Sequence, residues 1–390
     1  MRTAIVLLLI IWFSECVPQN AKPGPSIRVF HANSPEEKEA LNEGFLGITN
    51  DGEIKPGLFP IKPTGISTLP IKEAADAFLS SLSEEQRLNC TLPIEDKEWR
   101  RWSNIDISLY EREGVSLQDL SSTQRNLAFE MLKASLSPKG FEKTQEIMRM
   151  EEYLGRITNG TDYLGSEFYW LTFMGEPSGT EPWGWQLDGH HLVINYFVLG
   201  EQVVMTPVFM GSEPTLIETG EHLGTRTFKA EEELGLKLYH SLSGNEKARV
   251  TLGTRKTHHY LQAEAFRDNA VIPYAGINAS NLKEDQVEIL LELIGEYVGN
   301  MREGHARVKM EEVSSHLDKT FFAWIGAIDG SGPFYYRIHS PVILIEFDHQ
   351  RPVALKGKKP TRRHVHTIVR TPNGNDYGKD LLRQHLLQDH

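Results

Sequence analysis

The spacing of apolar residues changes once along this chain, near Glu167, and that change limits what it can fold into. Upstream, Ala75, Phe78, Leu79 and Leu82 recur at helical spacing, as do Leu127, Met131 and Leu132, and then Ile147, Met150 and Leu154. Apolar residues every three or four positions place one stripe of a helix against a core. From Glu167 the period falls to two. Strands are expected at 168–173, 190–198, 203–209, 321–328, 334–338, 342–349 and 364–370, with a hairpin across Leu199-Gly200-Glu201-Gln202. Helices return at 229–242 and 282–301, the second with Val287, Leu290, Leu291, Ile294, Val298 and Met301 on one stripe, and a short one closes the chain at 380–388. Hairpin-linked strands with helices before and between them predict an α+β fold: an antiparallel sheet with helices packed mainly on one face, and a helical N-terminal half. Strict strand-helix-strand alternation is missing, which argues against a doubly wound parallel sheet.

Charge and composition narrow the class. The chain is 39% hydrophobic and 24% charged, so it can bury a core, and its formal net charge of −12 argues against a nucleic-acid partner, which needs a basic face. Arg2, an apolar run over 4–13 and Ser14-Glu15-Cys16 read as a secretory signal peptide over 1–17. That run is shorter than the ~20 residues a bilayer span needs, and no later run is long and apolar enough, so the expectation is a secreted chain with no membrane anchor. Cleavage would leave Cys90 alone, as a packed thiol. Residues 18–70 read as an extended Pro/Gly-rich leading segment with one short helix near 35–42. Residues 71–390 read as a single domain, mostly helical over 71–160 and strand-rich over 161–390 with a helical insertion at 229–301. Asn89, Asn159 and Asn278 lie in glycosylation acceptor sequences. Ser81-Leu82-Ser83 with Gln86, and Ser241-Leu242-Ser243 with Glu246, form two capping boxes followed by Thr91-Leu92 and Thr251-Leu252. They read as a reused helix-turn-helix corner rather than a duplicated domain.

Nucleotide-binding glycine motifs, a Gly-x-Ser-x-Gly elbow and a His-Glu-x-x-His helix are all absent. What remains is a set of polar residues at strand spacing. His364-Val365-His366 puts two imidazoles on one strand face, about 6.6 Å apart along the backbone, so both can reach one ion. In the preceding strand Glu346 and Asp348 share a face, and Gly189-His190-His191 opens a third. Two enclosed carboxylates roughly 7 Å apart repel by about 2.4 kcal/mol at an effective dielectric of 20, and a divalent cation removes that repulsion. The expected centre is His364, His366 and Glu346, completed by His191 or His190. It would hold a divalent transition metal, zinc first, with iron, manganese or copper as alternatives. Asp348 is then a base or an orienting group, and Arg337 binds developing negative charge. The chemistry favoured is hydrolysis by metal-bound water. Oxidation at iron or copper is the second reading, and the third is a non-catalytic binding module using a Trp183/Trp185 pocket or a purely structural metal. Arg370 is a further anion partner, Asp376 a base, ligand or turn former. The basic stretch 356–363 reads as a solvated hairpin tip rather than a polyanion site.

Several of these segments also match a known pattern. Trp183-Gly184-Trp185 through Gly189-His190-His191-Leu192 resembles a motif of a largely bacterial family known as domain of unknown function 3500. Tyr335-Tyr336-Arg337-Ile338, Ile345-Glu346-Phe347-Asp348, His364-Val365-His366 and Asn375-Asp376-Tyr377-Gly378 are similar to its C-terminal motifs, in the same order. The resemblance covers most of the chain after about residue 70. It implies no established activity, but its motifs coincide with the strand-face cluster. His349 and Arg363 stand where the family tends to have Asn.

Overall fold

The computed structural model describes residues 34–388 apart from 328. The signal-peptide reading of 1–17, and the start of the leading segment, lie outside those residues. The short helix expected near 35–42 is α1 (Pro35–Asn42), whose N-cap Ser34 accepts from the Glu37 N–H.

The chain is a mixed helix-and-sheet fold built around one large, mostly antiparallel sheet. Its order of elements is best given as two passes through one pattern. The first pass runs α2 (Leu69–Ser81), α3 (Glu84–Cys90), β1 (Thr91–Leu92), β2 (Val115–Ser116), α4 (Ser122–Ser135), α5 (Pro138–Thr158), β3 (Tyr169–Met174), β4 (Trp183–Gly189), β5 (Leu192–Leu199), a short β6 (Gln202–Val204) and β7 (Val208–Ser212). The second runs α6 (Lys229–Ser241), α7 (Gly244–Val250), β8 (Thr251–Gly253), β9 (Ile277–Asn278), α8 (Glu284–Val298), α9 (Glu303–Ser314), β10 (Phe321–Gly326), β11 (Phe334–His339), β12 (Leu344–His349) and β13 (Val365–Arg370); α10 (Lys379–Gln388) follows. The sheet order is β1-β3-β4-β5-β7-β13-β12-β11-β10-β8, so two four-stranded meanders meet at β7 and β13.

The two passes agree in register as well as in order. β1 runs parallel to β3 as β8 does to β10, and β2 is antiparallel to β3 as β9 is to β10. Gln124 donates to the Ser81 carbonyl (2.9 Å) and to Gln86 Oε1 (2.9 Å); Gln286 donates to the Ser241 carbonyl (3.0 Å) and to Glu246 Oε2 (3.2 Å). Trp185 stacks on Tyr196 at 5.0 Å and 6°, and Tyr336 stacks on Phe347 at 5.0 Å and 8°. At the middle, the Ser137 N–H meets the Asn300 carbonyl (3.0 Å), the Arg302 N–H meets the Ser135 carbonyl (3.2 Å), and Val208 pairs with Val369. These contacts are reciprocal between equivalent positions of the two passes. The recurring capping box thus sits at the same place in each pass, and the repeat extends beyond that corner to the whole order of elements.

One correction concerns Trp183 and Trp185. They belong to β4, paired on both edges, and are fully buried in the core rather than walling a pocket. Gly184 and Gly189 within it, and its lack of β-branched residues, hide this strand from a period-two reading. Both faces of the sheet are covered: every residue of β12 is buried, Glu346 and Asp348 included. Segments 98–104 and 256–268 lie over the polar face and are pinned to it. Gln186 donates to the Glu98 and Trp99 carbonyls, while Glu346 accepts from the Gln262 and Ala263 N–H groups.

Candidate metal centre

His190 and His191 form the two-residue turn between β4 and β5, closed by the Gly189–Leu192 pair, rather than the start of a strand. His191 takes a left-handed conformation, φ 60. For a residue that is neither Gly nor Asn this costs on the order of 1–2 kcal/mol. In the other half the turn at the same register position is Pro341-Val342, closed by Ser340 and Ile343, so the histidines occur in one half alone.

The turn delivers His191 to the start of β13. The His191, His364 and His366 rings lie with centroids 5.6, 5.4 and 4.6 Å apart, each pair steeply inclined, and one ring nitrogen from each falls within 4.8 Å of the others. All three side chains are buried. Gly211, opposite His366 across the β7–β13 ladder, makes this possible: a Cβ there would sit 2.8 Å from the His191 ring and 3.0 Å from the His366 ring.

Hydrogen-bond polarity decides what the rings present to one another. His191 Nδ1 lies 3.0 Å from Glu151 Oε2, and His364 Nδ1 lies 2.7 Å from the Arg351 carbonyl. Both partners only accept, so both Nδ1 atoms carry the proton and both Nε2 atoms are left as lone pairs. Asn104 Oδ1 accepts from the His191 backbone N–H at 2.9 Å, which turns its amide NH₂ toward His366 Nε2, 3.3 Å away. His366 Nε2 is therefore an acceptor too. Yet His364 Nε2 and His366 Nε2 stand 2.9 Å apart. Burial, reinforced by the neighbouring histidines, pushes both rings well below the ordinary imidazole range, so a proton is a poor mediator. A metal ion could take these lone pairs: nitrogens bound tetrahedrally to zinc at about 2.05 Å are about 3.3 Å apart, against 2.9 Å for the His364–His366 pair and within 4.8 Å for all three.

Glu151 on α5 is the carboxylate that the sequence reading missed. Its Oε1 lies 2.5 Å from His190 Nδ1 while Oε2 holds His191, and the two imidazoles stack at 3.9 Å. Burial alone would raise this carboxyl, but the His190 and His191 rings pull it down to about 2. Glu151, His190 and His191 form a second group of mutually close donor atoms that shares His191 with the first. One carboxylate thus fixes the tautomer of a candidate ligand and the orientation of its neighbour, the arrangement usual around metal-bound histidine.

The remaining expected site residues lie elsewhere. Glu346 is not brought to the histidines: its Oε2 takes the Gln262 and Ala263 N–H groups and its Oε1 the Tyr335 hydroxyl at 2.6 Å. Asp348 does pair with His366 in the ladder. Its oxygens, however, are taken by Lys256 at 2.9 Å, the Tyr260 N–H at 3.0 Å and the Gln350 amide. Arg337 sits opposite Glu346 and donates to the Pro273 carbonyl, away from the rings. Arg370 and Asp376 belong to a buried ion network with Asp268, and the Arg370 guanidinium packs over Trp102. Glu346, Asp348 and Arg370 hold the covering segment 256–268 onto the sheet.

A cavity of about 350 Å³ opens beside the three histidines. Trp102, Leu109, Tyr163, Phe209 and Val353 give it apolar walls; Asn104, Asp106, His190, Glu213, His259, Glu264, Arg267 and Gln350 give it polar groups. His259 has acceptors at both nitrogens, Gln350 Oε1 at 3.0 Å and Glu264 Oε2 at 2.9 Å. Burial opposes its charge, but Glu264 and Asp348 outweigh burial and push the ring up to about 9.

The sequence model of the family described as "Protein of unknown function (DUF3500)" matches residues 64–379. The chain belongs to that family. No curated protein and no solved structure matches it.

Proposed function

We propose that this chain is an exported metal-dependent hydrolase, with the ion held by His191, His364 and His366. One observation carries the reading: three buried imidazole nitrogens converge without protons to share, next to a cavity large enough for a small substrate. Among the described residues no fourth His, Cys, Asp or Glu joins that group of three. Three protein ligands plus an open position is the catalytic pattern, whereas structural sites close with four. An all-imidazole set with no carboxylate suits zinc, with copper or iron as alternatives, and favours manganese least. When bound, such an ion acts as a Lewis acid and lowers the pKa of a coordinated water toward neutrality. The chain's own residues do the rest. Glu151 and Asn104 orient the ligands, the apolar walls exclude water, and His190, turned to the cavity with its Nδ1 on Glu151, takes the place that the sequence reading gave Asp348 as the group able to accept a proton. Export rests on residues 1–17, and sequencing the N-terminus of the secreted protein tests it.

Elemental analysis of the purified chain tests the centre. About one transition-metal ion per chain is expected, and His364→Ala with His366→Ala should empty it while the far-ultraviolet circular dichroism is retained. Unchanged metal content in that double variant refutes the assignment.

A further inference from the structure

The connection from β12 to β13 carries Lys356, Lys358 and Lys359 on a loop that ends at His364. Its two ends are held in place. Glu213 accepts from the N–H groups of Val353, Ala354 and Leu355 at 3.0–3.1 Å, the Thr361 N–H donates to the Gln350 carbonyl at 2.9 Å, and Arg362 donates to the Gly330 and Gly332 carbonyls at 2.6 and 2.8 Å. Glu213 also stands 3.5 Å from His364 Nδ1, so the anchor of this loop touches the metal centre.

The loop encloses a second concavity of about 430 Å³, lined by all three lysines, Arg363, Thr361 and Glu213. Glu213 lines the first cavity as well, so the two share one wall residue. Arg363 is paired with Glu218 at 2.7 Å, and Glu213 is occupied by the backbone donors. The three exposed ammonium groups have no ion-pair partner among the described residues. A chain of net charge −12 thus concentrates unpaired positive charge on one loop anchored at both ends, which shares Glu213 with the metal cavity. Fixed charge of one sign beside a cleft draws in ligands of the other sign and holds them against the background field.

We propose that the substrate of this centre is anionic, and that Lys356, Lys358 and Lys359 form the subsite that seats its negatively charged group while the reacting group lies at the metal. The proposal rests on the metal-centre reading and adds the substrate's charge and direction of binding. The lysines are exposed, as the solvated-tip reading expects, and the proposal adds that they line a concavity sharing Glu213 with the metal cavity.

The test uses full-length zinc-loaded protein and straight-chain hydroxamates of increasing length, each prepared with a terminal carboxylate and as its methyl ester. The hydroxamate anchors to the metal, and the far end probes the loop. At one chain length the carboxylate should bind at least tenfold more tightly than the ester by calorimetry, with the advantage shrinking as salt is raised. Lys356→Ala with Lys358→Ala and Lys359→Ala should abolish that advantage and leave metal content and ester affinity unchanged. Equal affinities of acid and ester at every length, or an advantage that survives the triple substitution, overturns the subsite. If instead elemental analysis finds no metal and neither probe binds, the metal-centre reading itself has failed.

Discussion

Replacing Glu151 by Gln removes one charge and almost no volume, and its effect on metal affinity follows from hydrogen-bond counting. The carboxylate accepts from His190 at 2.5 Å and from His191 at 3.0 Å. A carboxamide has one oxygen, so it can accept from one ring only; its NH₂ faces the other. The ring facing the NH₂ must move its proton from Nδ1 to Nε2 or turn away. If that ring is His191, the lone pair aimed at the metal disappears; if it is His190, the stacked partner loses its orientation. Loss of an outer-shell partner of this kind typically costs 10–100-fold in metal affinity, about 1.4–2.7 kcal/mol. Glu151→Gln should therefore raise the zinc Kd by that factor in a competition titration against a chromophoric chelator. Circular dichroism should be unchanged, since α5 has 21 residues and keeps its other contacts. Glu346→Gln is the matched control: it disturbs a buried carboxylate of the same sheet but should leave the zinc Kd within twofold. An unchanged zinc Kd in a folded Glu151→Gln protein, or an equal rise in both variants, would refute the tautomer argument and with it the assignment of His191 as a ligand.

Three other outcomes follow from the same geometry. Gly211→Ala should weaken metal binding at least tenfold and cost about 1–3 kcal/mol in denaturant unfolding, because its Cβ would meet the His191 and His366 rings at 2.8 and 3.0 Å; wild-type affinity and stability together would contradict the close approach. Adding zinc to chelator-treated protein should raise the melting temperature, by about 4 kcal/mol of stabilisation at a thousandfold excess over Kd, and His366→Ala should abolish the rise. His259 is raised to about 9 against an ordinary 6.5, so it contributes stability that is fully present below about pH 6.5 and lost as pH rises through 9. That contribution is on the order of 3 kcal/mol. Unfolding of metal-free protein between pH 6 and 10 should show this fall, and His259→Gln should flatten it.

Much of the scaffold was legible because it depends on short-range spacing. The helical stripe of α8, the capping boxes of α3 and α7, and the alternation in β12 and β13 each follow from neighbours within a few residues. The same alternation put His364 and His366 on one face together with Glu346 and Asp348, and the β12–β13 register agrees. Period two says which side chains share a face; it does not say what covers that face. Segment 256–263 arrives from far along the chain, and its backbone N–H groups and Lys256 take both carboxylates. The sequence reading had given those charges to a metal because nothing nearby in sequence competes for them. Glu151 was hidden for the converse reason. Beside Glu152, which pairs with Arg156 on the helix surface, it looks like another solvated helix acid; only the packing of α5 against the β4–β5 turn separates the two.

By itself the sequence determined the family, most of the helical and extended segments but not β4 or α9, and His364 and His366 together with the His190-His191 pair, since local periodicity and motif order carry that information. Tertiary structure alone decided that β7 lies against β13, that Gly211 leaves room for two rings, that Glu151 rather than Glu346 is the carboxylate beside the histidines, and that one order of elements and pairings runs through the sheet twice. Those outcomes depend on which backbone donors and which charges compete for each buried group, and the competitors lie up to a hundred residues or more apart until the sheet closes.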